Sequence, residues 1–110
     1  MKTRYGGSKL IAPEGAMEFN ISHLAVLRAS AEGKKHFGEY FGSWGALTHW
    51  IRDTQAWGLI KEDGTPTRKG FDLALHLKLD VQTKGRAYLW EGRDALIQAA
   101  KLFLLNYTGT

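Results

Sequence analysis

The chain has 110 residues, no cysteine, and a formal net charge of +4 from 15 Lys and Arg against 11 Asp and Glu. That length suits one domain, and the missing cysteines exclude disulfides, thiolate metal sites and thiol catalysis. The basic surplus favours an anionic partner. It is spread evenly, with six basic and four acidic residues in 1–43 and nine and seven in 44–110, so any basic patch has to be made by folding.

Hydrophobic residues at 44% and charged residues at 24% are ordinary globular proportions. No apolar run approaches the roughly 18 residues of a membrane span. Lys2 and Arg4 are not followed by an apolar stretch, so a signal peptide is not expected. The absence of cysteine fits a reducing compartment, and the cytoplasm is the expected location.

Residues 1–16 are punctuated by Gly6, Gly7, Pro13 and Gly15 and read as a flexible arm, or as a loosely docked strand at Lys9 to Ala12. The remainder, 17–110, reads as a single domain. Residues 20–32 predict the first helix, with Asn20 as N-cap, Met17, Ile21, Leu24, Leu27 and Ala31 at helical spacing, and Gly33 as the stop. Residues 35–41 suggest a short second helix that Gly38 weakens. Gly42 and Ser43 make a turn, Ser43 being a plausible N-cap.

Residues 44–57 give the clearest helical pattern, with Trp44, Leu47, Trp50, Ile51 and Trp57 on one face and Gly58 at the end. The three tryptophans are expected in the core, which leaves Gly45, Thr48, His49, Arg52 and Gln55 facing outward, with Asp53 among them. Leu59 to Glu62 and Thr65 to Thr67 flank an Asp63-Gly64 turn and suggest a minimal hairpin, with Pro66 restricting its second piece to an edge.

The segment 71–82 supports two readings. Phe71, Leu73, Leu75, Leu77, Leu79 and Val81 alternate with more polar positions, a strand period, and Arg86 to Trp90 could pair back on them. Leu and Ala favour helix over strand, and Thr67 stands ready as an N-cap, so a helix is preferred. Residues 93–106 predict a last helix whose apolar residues cover nearly the whole circumference. Such a helix is buried on more than one side, and packing against a second copy is the expected explanation.

The order of these pieces between residues 43 and 70 resembles the centre of a winged helix-turn-helix domain. A short helix and turn precede an amphipathic helix, then come Gly58-Leu59-Ile60, a turn, and Thr67-Arg68-Lys69-Gly70 opening the next helix. With 20–32 as the preceding helix, the likeness extends over residues 20–80. It implies a mostly α fold with a small β-hairpin, an α+β winged helix-turn-helix carrying an additional C-terminal helix. It also implies a small dimeric transcriptional regulator whose helix 44–57 enters the major groove of double-stranded DNA.

On that resemblance Thr48, His49, Arg52 and Gln55 face the groove, and Lys34, Lys35, Arg68 and Lys69 lie where phosphates are contacted. Glu62 and Asp63 at the tip of a short wing oppose phosphate, as Asp53 does. The same features suit a protein-binding module on this scaffold, of the kind by which phages and mobile elements inhibit or adapt a larger complex.

Little points to catalysis. The histidines at 23, 36, 49 and 76 form no metal-binding spacing, the serines lack a nucleophile-elbow context, and no phosphate-binding glycine motif occurs. Neither an enzyme nor a metal or other cofactor is expected.

Overall fold

The computed structural model describes residues 10–33, 41–79, 89 and 91–108. Among them are four helices and no strand: α1 (Ile21–Glu32), α2 (Trp44–Ala56), α3 (Arg68–Leu77) and α4 (Arg93–Leu105). No helix among the described residues is long and apolar enough to cross a membrane.

The centre of the fold is α1, which packs against α2, α3 and α4, while α3 also packs against α4. Its N-terminus is closed by a capping box in which Asn20 accepts from the Ser22 amide at 2.8 Å and His23 takes the place usual for Glu or Gln. The sequence pattern predicts one apolar stripe on this helix. Instead Ile21 and every residue from His23 to Ser30 are buried, Arg28 included. A helix surrounded by three others has no solvent face to keep polar.

The segment ahead of α1 is docked as well. Leu10, Ala12 and Ala16 pack against the core, and Phe19 is buried in it. Residues 1–9 lie outside the described residues, as do 34–40, which hold most of the expected short helix; Phe41 at its end packs partly against the core.

The expected β-hairpin, and with it the α+β winged-helix fold, is not formed. A single antiparallel bridge joins Ile60 to Pro66. Lys61 N–H donates to the Thr65 carbonyl at 2.7 Å, and Thr67 N–H to the Leu59 carbonyl at 3.0 Å. Pro66 has no N–H to extend the ladder.

The Asp63-Gly64 turn is present, but it is tucked in rather than projecting as a wing. Asp63 Oδ1 accepts from Thr65 N–H at 2.9 Å and from its hydroxyl at 2.6 Å, and Gly64 takes a φ of 91° that a side chain rarely adopts. Ser30 Oγ donates to the Gly64 carbonyl at 2.6 Å, and Gln55 Nε2 donates to the Lys61 carbonyl at 3.1 Å. The turn is thereby pinned between α1 and α2.

Of the two readings of residues 71–82, the helix is the one formed. It opens with Thr67 as N-cap, its Oγ1 accepting from Gly70 N–H at 3.0 Å and donating to the Gly58 carbonyl at 2.7 Å. It ends at Leu77, short of the expected 82. Lys78 is left-handed (φ 57°), and Leu79 N–H reaches back to the Ala74 carbonyl at 3.0 Å, a Schellman-type close. That reversal turns Leu79 into the core; residues 80–88, with the strand partner considered for them, and Trp90 lie outside the described residues.

The all-round apolar character of α4 is used largely within the chain. Leu96 and Ala100 are buried, and Ile97, Ala99, Phe103 and Leu104 pack partly against the core. Phe103 lies between His76 of α3 and Tyr107 at ring distances of 4.9 and 5.4 Å.

Candidate nucleic-acid interface

The outward face of α2 is set by a buried cluster on its inward face. His23 of α1 is fully buried, and its Nε2 lies 2.6 Å from Asp53 Oδ2 on α2. The Asn20 N–H donates into His23 Nδ1 at 3.0 Å. An atom accepting a proton cannot carry one, so the ring is the neutral tautomer with its single proton on Nε2, donated to Asp53. Burial pushes the His23 pKa below its ordinary value, and the Asp53 carboxylate opposes that shift only in part. The imidazole stacks on Phe19, with centroids 5.1 Å apart, and meets the edges of Trp50 and Trp57 at 5.2 and 5.9 Å.

Asp53 also accepts the Met17 N–H at 3.1 Å, and Trp57 Nε1 donates to the Met17 carbonyl at 2.9 Å. One residue of the N-terminal segment is thus held at both backbone ends by α2. With both ring nitrogens of His23 engaged and its side chain fully buried, this His–Asp pair ties α1 to α2.

The cluster overturns two expectations. Asp53 does not lie among the outward residues: it points into the core, at the same spacing from Trp50 and Trp57 as an inward residue. The three tryptophans do not form one buried stripe either. Trp57 is buried and Trp50 half-buried, but Trp44 is 79% exposed. Gly42, Ser43 and Gly45 are exposed with it, so the first turn of α2 stands clear of the core. A hydrophobic residue at the right spacing still needs a neighbour to bury it.

What remains outward on α2 is Trp44, Gly45, His49, Arg52 and Ala56, with Thr48 and Gln55 half-buried at the margins. His49 turns Nε2 toward Met17 Sδ at 3.2 Å and sets its ring edge-on to Trp50 at 4.9 Å. Gln55 is committed to the 61–65 turn, donating to the Lys61 carbonyl as above, so its amide is not directed at a ligand. Arg52 is exposed, and among the described residues no carboxylate pairs with it. The start of α2 is capped by Ser43 Oγ, which accepts from Ala46 N–H at 3.1 Å.

The other expected contacts divide. Arg68 is exposed and lies 3.4 Å from Asp72 one turn on. The Lys69 ammonium lies over Gly58, at the C-terminal end of α2, where a cation complements the helix dipole. Both are brought to that end of α2 by the Thr67–Gly58 hydrogen bond. Lys34 and Lys35 lie outside the described residues. Glu62 and Asp63 are exposed in the turn beside Gln55 and mark the acidic limit of the face.

His23, Met17 and Asp53 are the residues that sequence reasoning missed. The signal for two of them is present: Asn20-x-x-His23 has the spacing of a capping box, and Asp53 falls three residues after Trp50 and four before Trp57. Among the described residues no three His, Asp or Glu converge as a metal-binding group. Comparison with protein-family models, with curated proteins and with solved structures found no match for this chain.

Proposed function

We propose that the chain is a small DNA-binding protein that lays the outward face of α2 against nucleic acid and acts in the cytoplasm as a regulator of transcription. The observation that carries this reading is the absence of a carboxylate among the described residues of that face. With Asp53 turned inward onto His23, the exposed stripe presents Arg52 with no described acid paired to it, and Gly45 two turns before it with open space around its Cα. A helix of this width fits the major groove of B-DNA, where a guanidinium pairs with guanine through two hydrogen bonds. Arg68 and Lys69 beyond the C-terminal end supply phosphate contacts that position the helix.

Titration of fluorescent duplexes of varied sequence tests the reading. Binding is expected at low salt and to weaken steeply as salt rises, because each neutralised phosphate releases counterions. Arg52→Ala is expected to weaken binding to the preferred duplex by roughly 1–3 kcal/mol. A protein that binds no duplex at low salt, with or without that change, is not a DNA-binding protein of this kind.

A second reading has its own observation. Phe71 and Leu75, one turn apart on α3, are 47% and 61% exposed, and Leu102 on α4 is 56% exposed. Exposed apolar side chains of this size suit a protein contact, either a second copy joined through α4 or a different protein. A complex that survives nuclease and high salt supports this reading over the first.

A further inference from the structure

We infer that Trp44 stacks on an unpaired base, so that the DNA taken by the α2 face carries an unstacked position and not only intact duplex. The inference rests on the DNA-binding reading above and narrows its target. Trp44 is the first residue of α2 and, at 79% exposed, among the most exposed of the large apolar side chains described. An indole left in water is a large apolar surface awaiting a partner.

Its surroundings say which kind. Gly42, Ser43 and Gly45 around it are small and exposed, and the other large exposed apolar side chains among the described residues belong to the N-terminal segment (Ile11, Met17), α3 (Phe71, Leu75) and α4 (Leu102). A protein hot spot has a ring of neighbouring contacts that exclude water, and Trp44 has no such ring on its own helix. A flat, exposed π-face flanked by small residues is what a base stacks on.

The backbone beside the indole suits the rest of a nucleotide. Ser43 satisfies the Ala46 N–H, and Leu47 N–H donates to the Ser43 carbonyl at 3.1 Å. The Trp44 and Gly45 N–H groups precede the first intrahelical bond and point out of the helix end. A Cβ built on Gly45 meets nothing within 4 Å, so a phosphate can come close to that backbone. Two turns on, Arg52 supplies the positive charge. Indole face, free N–H groups and guanidinium then follow one another along a single helix as base, phosphate and neighbouring strand require.

The test compares three fluorescent DNAs: an intact duplex, the same duplex with one bulged base, and the single strand. Each is titrated with wild type, Trp44→Ala, Trp44→Phe and Arg52→Ala, and circular dichroism checks that each variant folds. The expected result is tighter binding of wild type to the bulged duplex than to the intact one. Trp44→Ala should lose about tenfold or more on the bulged duplex and little on the intact one, with Trp44→Phe retaining most of the affinity. Tryptophan emission should fall on binding, and Trp44→Phe should remove that fall. Equal affinity of wild type for intact and bulged duplex, or unchanged binding by Trp44→Ala while Arg52→Ala weakens it, overturns the stacking role and leaves the groove reading standing. No binding of any of the three DNAs overturns both.

Discussion

The His23 imidazole accepts the Asn20 amide proton at Nδ1 and gives its own proton to Asp53, so a second proton has no place to go. Burial lowers its folded-state pKa below the ordinary value of 6.5. The unfolded chain therefore takes up this proton first as the pH falls. Stability from this residue is fully present above pH ~6.5 and is lost as the pH drops below that value toward the depressed folded-state pKa. Thermal melts between pH 8 and 5 should show the melting temperature declining through that interval. His23→Gln should melt lower at pH 8, because the Asn20 N–H and the aromatic stacking lose their partner, but with a shallower decline. An equally steep decline in His23→Gln would place the sensitivity elsewhere.

At the scale of elements, α3 is seated by one glycine. A Cβ built on Gly70 would overlap the Leu59 carbonyl oxygen and press on Leu27 Cδ1. The first turn of α3 therefore lies directly on the backbone that leaves α2, and Thr67 ties the two by accepting from Gly70 and donating to Gly58. In an exposed helix a Gly-to-Ala change stabilises by up to about 1 kcal/mol. Here the sign reverses: Gly70→Ala should destabilise by roughly 1–3 kcal/mol, the range for an overpacked core, or prevent folding. Urea denaturation measures the difference, and a more stable Gly70→Ala would show that α3 is not seated against Leu59. The Thr67-Arg68-Lys69-Gly70 run was legible as the start of a helix. That its glycine serves close approach of two backbones was not, since nothing local distinguishes a glycine that is needed from one that is tolerated.

At the scale of the molecule, the charge is even in sequence and uneven in space. Asp53 is inside, Arg52 is outside, and Glu62 and Asp63 are gathered in the turn beyond the C-terminal end of α2. If duplex DNA lies along α2, Glu62 faces its phosphates. Glu62→Lys should then raise affinity and steepen the dependence of log affinity on log salt by about one further phosphate contact, a slope change near 0.9. Anisotropy titrations at several salt concentrations read both quantities. No change in either would place the bound phosphates away from that turn. Asp63 is not the residue to exchange for this purpose, because it accepts from the Thr65 N–H and hydroxyl and shapes the turn.

The local events were legible in the residues alone: the caps at Asn20, Ser43 and Thr67, the turn at Asp63-Gly64, and helices at 20–32, 44–57 and 93–106 to within a residue or so. These depend on side chains that reach only a few residues along the chain, so periodicity and capping chemistry reveal them. The arrangement of the helices in space set the rest: α1 is buried over most of its circumference, Asp53 faces His23, Trp44 stands in solvent, and the expected hairpin is a single bridge held between α1 and α2. Each of those depends on what another element places opposite, at separations of 30 residues and more for His23–Asp53 and Ser30–Gly64. A helical repeat tells which residues share a face, but burial of that face is conferred by its neighbour.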